Sequence, residues 1–281
     1  MTFELLDQLS LAGDPAKANE DFLLQAAHAG LVMDGATPLG DSLMPGPSDA
    51  AWIAQFGARR LMAHLSEEKS ARKALRDALA DAQKSFEALR RHPPEEKWQT
   101  PCASMILAVP GDSEVEFLWF GDCAALVKQG DAAVTVVGET FDKRAAEAER
   151  ARALAKEKNL SPAAGLSRPE FIGALRSSRN RINSGAYWLF SPDARAAAHV
   201  SRRAIKASPG AMLLLATDGF LALASDYGAY SADGLMAAAL SKGLAGLGEE
   251  LRAIEAGDVG GDKFPRFKKS DDATAILLKI S

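Results

Sequence analysis

Apolar runs and polar breaks divide this chain into short blocks, and the spacing within each block predicts its form. Residues 22–27 and 31–33 read as two brief strands about a His28-Ala29-Gly30 turn. Asn19-Glu20-Asp21 stands just before the first strand and Asp34-Gly35 just after the second, so a hairpin puts both acidic motifs at one edge. A stretch rich in Gly, Pro and Ser, residues 36–48, leads into a helical segment at about 50–92. In its second helix Leu75, Leu79, Ala82, Phe86 and Leu89 recur at spacings of three and four, the period of one buried face, and Pro93-Pro94 stops it. Trp52, Ile53 and Phe56 fit a buried face of the first helix in the same way.

The pattern turns to strands at residues 102–109 and 115–120, joined as a hairpin by Gly111-Asp112-Ser113, and continues through 124–127 and 134–137. These are meander spacings, not βαβ spacings. A charged helical segment follows at about 143–182. Its first part, 143–158, is rich in Ala and poor in large apolar residues, which predicts a solvated helix lying on the body of the domain, and a further helix covers 169–179. An aromatic strand at 186–190, a strongly apolar strand at 212–216, helical stretches around 234–240 and 248–256, and a final strand at 274–280 complete the series. Trp119 and Trp188, inside strand-like runs, are expected in the core. No repeat, linker or break in composition divides the chain, so residues 1–281 are expected to form one domain. Antiparallel meanders with helices grouped between them predict an α+β four-layer sandwich: two stacked, mainly antiparallel sheets flanked by α-helices, with a site where strand ends of both sheets meet.

Composition narrows the possible functions. With 281 residues, 47% of them hydrophobic, the chain has ample material for a core. Its net charge of -4 gives no electrostatic reason to expect nucleic acid or an anionic membrane as partner. No apolar run approaches the roughly 20 residues that span a bilayer. The opening MTFELLDQLS has neither the basic nor the apolar region of a signal peptide, so a cytoplasmic home is expected. Cys102 and Cys123 lack metal-site spacing and read as small core residues in a reduced compartment. His28, His64, His92 and His199 form no metal-ligand pair, and neither a GxSxG elbow nor a glycine-rich phosphate loop is present.

What stands out is a series of carboxylates at the ends of apolar runs: residues 19–21, 33–35, 216–219 and 270–274. Carboxylates that converge in a fold repel one another unless cations sit between them. In this order the motifs resemble the metal-dependent serine/threonine protein phosphatases of the 2C type. The resemblance runs over nearly the whole chain and rests on Glu20-Asp21, Asp34-Gly35, Gly121-Asp122 in WFGDCAALV, Asp218-Gly219 in LLLATDGF and Asp271 in SDDATAILL. It implies a β-sandwich covered by helices on both sides and a site for two Mn²⁺ or Mg²⁺ ions. Asp34 would bridge the two, Asp218 and Asp271 would complete the first, Glu20 and the Gly35 carbonyl would serve the second, and Asp21 would orient the attacking water. Asp122 matches a position that in the family helps hold a weaker third ion. Asp21, Asp34 and Asp218 are thereby the expected catalytic residues. Hard oxygen donors suit either cation, and two ions about 3.5 to 4 Å apart can activate water and clamp a phosphoryl group without a protein nucleophile.

The chain departs from the family pattern in three places. Where members commonly carry a phosphate-binding arginine, five residues before Asp21, there is Ala16, beside Lys17, whose ammonium offers a point charge but no bidentate grip. The residues after Asp34-Gly35 are Ala36-Thr37-Pro38-Leu39-Gly40, without the usual histidine or methionine, and Asp122 is followed by Cys123-Ala124-Ala125 without an arginine. Arg176, Arg179 and Arg181, with Asn180 and Asn183, are expected to supply the phosphate grip together with Lys17; Lys268-Lys269, just before Asp271, is a second set. The expected activity is hydrolysis of phosphoserine and phosphothreonine in phosphorylated protein substrates. A non-catalytic phosphatase-like module that regulates by binding, with 143–158 as docking surface, and a phosphomonoesterase for small molecules stand as alternatives.

Overall fold

The computed structural model of the chain describes residues 1–68, 70–138, 169–185, 187–261, 263, 264, 266 and 268–281. The segment 143–158, expected to be a solvated helix, lies outside them. In chain order the elements are β1 (Phe3–Leu11), β2 (Asp21–Ala26), β3 (Ala29–Gly35), α1 (Asp49–Glu67), α2 (Ala71–Leu89), β4 (Ala103–Pro110), β5 (Glu114–Phe120), β6 (Ala124–Lys128), β7 (Thr135–Gly138), α3 (Pro169–Arg179), β8 (Ser201–Lys206), β9 (Met212–Ala216), α4 (Asp218–Ser225), α5 (Ala232–Gly257) and β10 (Ala273–Ile280).

The strands form two five-stranded sheets, β1-β10-β9-β6-β7 and β2-β3-β4-β5-β8. Neighbouring strands pair antiparallel throughout. The central strands are buried on both faces, which is why they read as unbroken apolar runs and not as alternating ones. In β9, Leu213 and Leu215 point between the sheets, while Leu214 and Ala216 meet α4 and α5. In β3, Val32 faces the other sheet and Leu31 and Met33 face α1 and α2. The result is helices, sheet, sheet, helices, an α+β sandwich of four layers with three apolar seams.

Helices α1 and α2 begin at serines that cap them: Ser48 Oγ accepts the Ala50 and Ala51 N–H groups, and Ser70 Oγ accepts that of Lys73. Leu75, Leu79, Ala82 and Phe86 are buried as their spacing requires, whereas Leu89, in the last turn, is 52% exposed. The two helical stretches expected near 234 and 248 are joined into α5 across a kink at Gly243, where φ is 77°.

Expectations for the segment before 190 and for the two tryptophans are corrected, whereas the cysteines are core residues as expected. Residues 187–190 form no strand; Tyr187 and Phe190 make isolated bridges to Ser184 and Ala103. Trp188 is half-buried and stacks on His199, with ring centroids 3.7 Å apart, while Trp119 is half-buried against the seam between the sheets. Cys102 and Cys123 are buried and unbridged, Cys102 beneath α1 and α2 and Cys123 between the sheets. Among the described residues no helix is long and apolar enough to cross a membrane.

Candidate metal centre

Each sheet delivers carboxylates to one end of the sandwich. In the β2–β3 hairpin Asp21 lies opposite Asp34, so the register brings the two acidic motifs side by side. Asp34 is in turn opposite Ser104 of β4. The chain crosses from one sheet to the other at Gly121-Asp122-Cys123, between β5 and β6. Gly121 has a φ of 68°, and a Cβ there would lie 2.2 Å from Ser104 Oγ, so the crossing needs glycine for both reasons. Asp218 follows β9 directly and occupies the first turn of α4, where the helix dipole favours negative charge. A Cβ on Gly219 would lie 2.0 Å from the Asp272 carbonyl oxygen, so the Asp-Gly pair lets the α4 turn press against the chain entering β10.

Asp34, Asp122 and Asp218 each offer a carboxylate oxygen within 4.8 Å of the others. Burial raises the pKa of Asp34 well above the carboxylate range, and Asp218, Asp21, Asp122 and Asp271 push it further. Asp21 is raised in the same way, first by burial and then by Asp271, Asp272 and Asp218, against the opposing hydrogen bond from Thr217. Thr217 Oγ1 donates to Asp21 Oδ2 at 2.7 Å and accepts from the Thr274 N–H at 3.0 Å. Half-buried, all-oxygen and mutually repelling, the three clustered carboxylates form a donor set that fits a hard divalent cation such as Mg²⁺ or Mn²⁺.

Of the other expected ligands, the Glu20 and Asp271 carboxylates accept hydrogen bonds from the protein. The Glu20 carboxylate accepts from Thr37 Oγ1 at 2.6 Å and from Ser48 Oγ, the same hydroxyl that caps α1. The Gly35 N–H donates to the Glu20 carbonyl at 3.1 Å, and a Cβ on Gly35 would strike the Ala50 carbonyl. Asp271 Oδ1 accepts from Lys268 Nζ at 2.7 Å and from the Asp272 N–H at 3.0 Å. Burial raises the Asp271 pKa and Lys268 pulls against it. For Lys268, burial opposes the charged form, but Asp271, Asp34 and Asp218 together hold the ammonium pKa above its ordinary value.

Two residues to which the sequence reading gave no role organise this end of the molecule. Asp272 accepts from the Gly13 N–H at 2.7 Å and the Glu20 N–H at 2.6 Å, clamping two loops; its only signal was the doubled aspartate before β10. Thr217 was visible only as the residue before Asp218.

A cleft of about 1090 Å³ opens beside the centre, lined by Lys17, Glu20, Thr37, Arg176, Lys268, Asp271 and their neighbours. Lys17 is exposed and 3.7 Å from Asp14. Arg176 donates to the Leu39 carbonyl at 2.7 Å and lies 4.0 Å over the Trp98 ring. Arg179 donates to the Thr37 carbonyl at 2.7 Å, and Arg181 is exposed in the turn after α3; neither lines the cleft.

Among solved structures, the serine/threonine phosphatase PstP/Ppp of Mycobacterium tuberculosis aligns over 100% of both chains with a TM-score of 0.61 at 15% identity. A structure of the PstP catalytic domain in complex with 2 manganese ions gives 0.57 at 15% identity, covering 100% of this chain and 99% of that one. The PPM Ser-Thr phosphatase MsPP from Mycobacterium smegmatis, in complex with cacodylate, gives 0.54 at 17% over 99% of each. At such identities the likeness shows the fold. No curated protein matches the chain in sequence. The model of the family Protein phosphatase 2C, however, matches residues 18–243, most of both sheets and the cluster that joins them, and the chain belongs to that family.

Proposed function

We propose that this protein is an active phosphatase that removes phosphate from phosphoserine and phosphothreonine in protein substrates, using two Mn²⁺ or Mg²⁺ ions. The observation that carries the reading is the convergence of Asp34, Asp122 and Asp218 from three separate segments to within 4.8 Å. An unused site would have no reason to keep three repelling carboxylates together at a cost to stability. Asp34, Asp122 and Asp218 would hold the ions, with Asp271, Glu20 and the Gly35 carbonyl at hand. Divalent cations bound there supply Lewis acidity, which acidifies water and polarises phosphoryl oxygens. The two manganese ions of the PstP complex support the count.

The chain's own residues do the rest. Asp21, fixed by the Thr217 hydroxyl, orients the attacking water. Lys17 and Arg176 present cations to the cleft, where they bind the substrate phosphate in place of the arginine missing at Ala16. Arg179 acts through Thr37, whose backbone it holds and whose hydroxyl bonds Glu20. Arg181, exposed beyond α3, adds positive charge on the approach. We read residues 1–281 as one domain, because β1 and β10, from opposite ends of the chain, pair in one sheet. The setting we propose is cytoplasmic, with no nucleic acid or membrane partner.

The test is hydrolysis of p-nitrophenyl phosphate and of a phosphothreonine peptide with added Mn²⁺. Turnover should fall roughly 10³-fold in Asp218→Asn and under chelation, the equivalent of several kcal/mol of lost charge stabilisation. Metal uptake without turnover would instead make the protein a non-catalytic binding module, and turnover confined to the small ester would make it a small-molecule phosphomonoesterase.

A further inference from the structure

Asp271 does not join the group formed by Asp34, Asp122 and Asp218. It is engaged by a cation of the chain itself: Lys268 Nζ lies 2.7 Å from Asp271 Oδ1, and the Asp272 N–H holds the same oxygen. The Lys268 side chain is 33% exposed, and its ammonium lies at the wall of the cleft, within the electrostatic reach of Asp34 and Asp218. A monovalent ammonium bonded to one carboxylate and facing others offsets the same repulsion that a divalent ion would relieve. Both cannot draw fully on Asp271 at once.

We propose that Lys268 is a resident counter-ion of the metal centre, competing with a divalent cation for Asp271. The inference rests on the metal-site reading above. Its consequence is that an ion drawing on Asp271 together with Asp34 and Asp218 binds against the Lys268 ammonium and is weakened by it. Lys268 thereby raises the metal concentration at which the site that Asp271 completes fills, and in releasing Asp271 its ammonium becomes available to the cleft.

The experiment is calorimetric titration of the full chain with Mn²⁺, comparing the unsubstituted protein with Lys268→Met and Lys268→Arg, with no substrate present. In Lys268→Met at least one Mn²⁺ binding step should tighten roughly 10- to 100-fold, the range implied by removing one charge-assisted hydrogen bond as competitor. Lys268→Arg, which keeps the charge, should follow the unsubstituted protein. Should Lys268→Met not fold, Lys268→Gln makes the same comparison. Superimposable isotherms for the charged and uncharged variants, or weaker binding in the uncharged one, overturn the inference and leave the metal-site reading standing. No Mn²⁺ uptake by any of them overturns both.

Discussion

The Thr217 hydroxyl is bonded on both sides, donating to Asp21 and accepting from Thr274 N–H, and through them it ties β2, β9 and β10 together at the metal centre. Thr217→Val preserves the shape and removes the bonds, leaving a buried carboxylate and a buried N–H without this partner. Stability should fall by about 1–3 kcal/mol, read as a lower urea midpoint, and Thr217→Ser should restore most of it. Asp21 and Asp34 give a second expectation at this scale. A carboxyl whose folded pKa is raised above its unfolded value of about 3.9 binds more protons folded than unfolded, so its ionisation opposes folding as pH rises through that window. Metal-stripped protein should therefore melt at a higher temperature at pH 5 than at pH 7, and saturating Mn²⁺ should narrow or reverse the difference. A chelated sample that gains stability from pH 5 to pH 7 would show that other groups dominate.

At the level of elements, α2 shows where periodicity is informative and where it stops. Leu79 and Leu89 share one heptad-like face, yet Leu79 is fully buried and Leu89, in the last turn, is half exposed. Leu79→Ala should cost about 2–5 kcal/mol in a denaturant titration, whereas Leu89→Ala should stay within about 0.5 kcal/mol. Strands buried on both faces, β3, β4 and β9, were legible because their apolar runs are unbroken. Of the edge strands, β2 and β7 were legible and β1 and β8 were not. β8 is SRRAIK, exposed along nearly its whole length, and among the described strands pairs only with β5; β1 carries a register shift between Leu5 and Asp7 that interrupts its alternation. Helix α4, only eight residues long, is too short for a period to emerge. The acidic motifs of the centre were readable because a strand end fixes where each carboxylate goes. Their partners were not: Ser48, Thr37 and Lys268 lie in or beside loops, where no period constrains them. Asp272 belongs with these. Asp272→Ala would release the Gly13 and Glu20 amides together, and a lower melting temperature with weaker Mn²⁺ binding is the expected outcome.

For the whole molecule, metal and fold are linked. A cation that binds only the folded cluster adds about 2.7 kcal/mol of stability at one hundred times its dissociation constant, so Mn²⁺ or Mg²⁺ should raise the melting temperature and a chelator should lower it. A melting curve indifferent to millimolar metal would mean that the carboxylates hold no ion. The layered construction has another consequence, carried by the two cysteines. Cys102 lies under the α1–α2 cover and Cys123 between the sheets, and burial raises the pKa of both thiols, with Asp34 and Asp122 adding to the effect at Cys123. Cys102 also lines a cleft of about 440 Å³ with Arg179, Asn183 and Ser191, so local opening there exposes it to a disulfide reagent, whereas Cys123 should not react until the sheets separate. The two labelling rates are thus separate clocks: Cys102 times the loosening of the cleft wall, and Cys123 times the parting of the sheets.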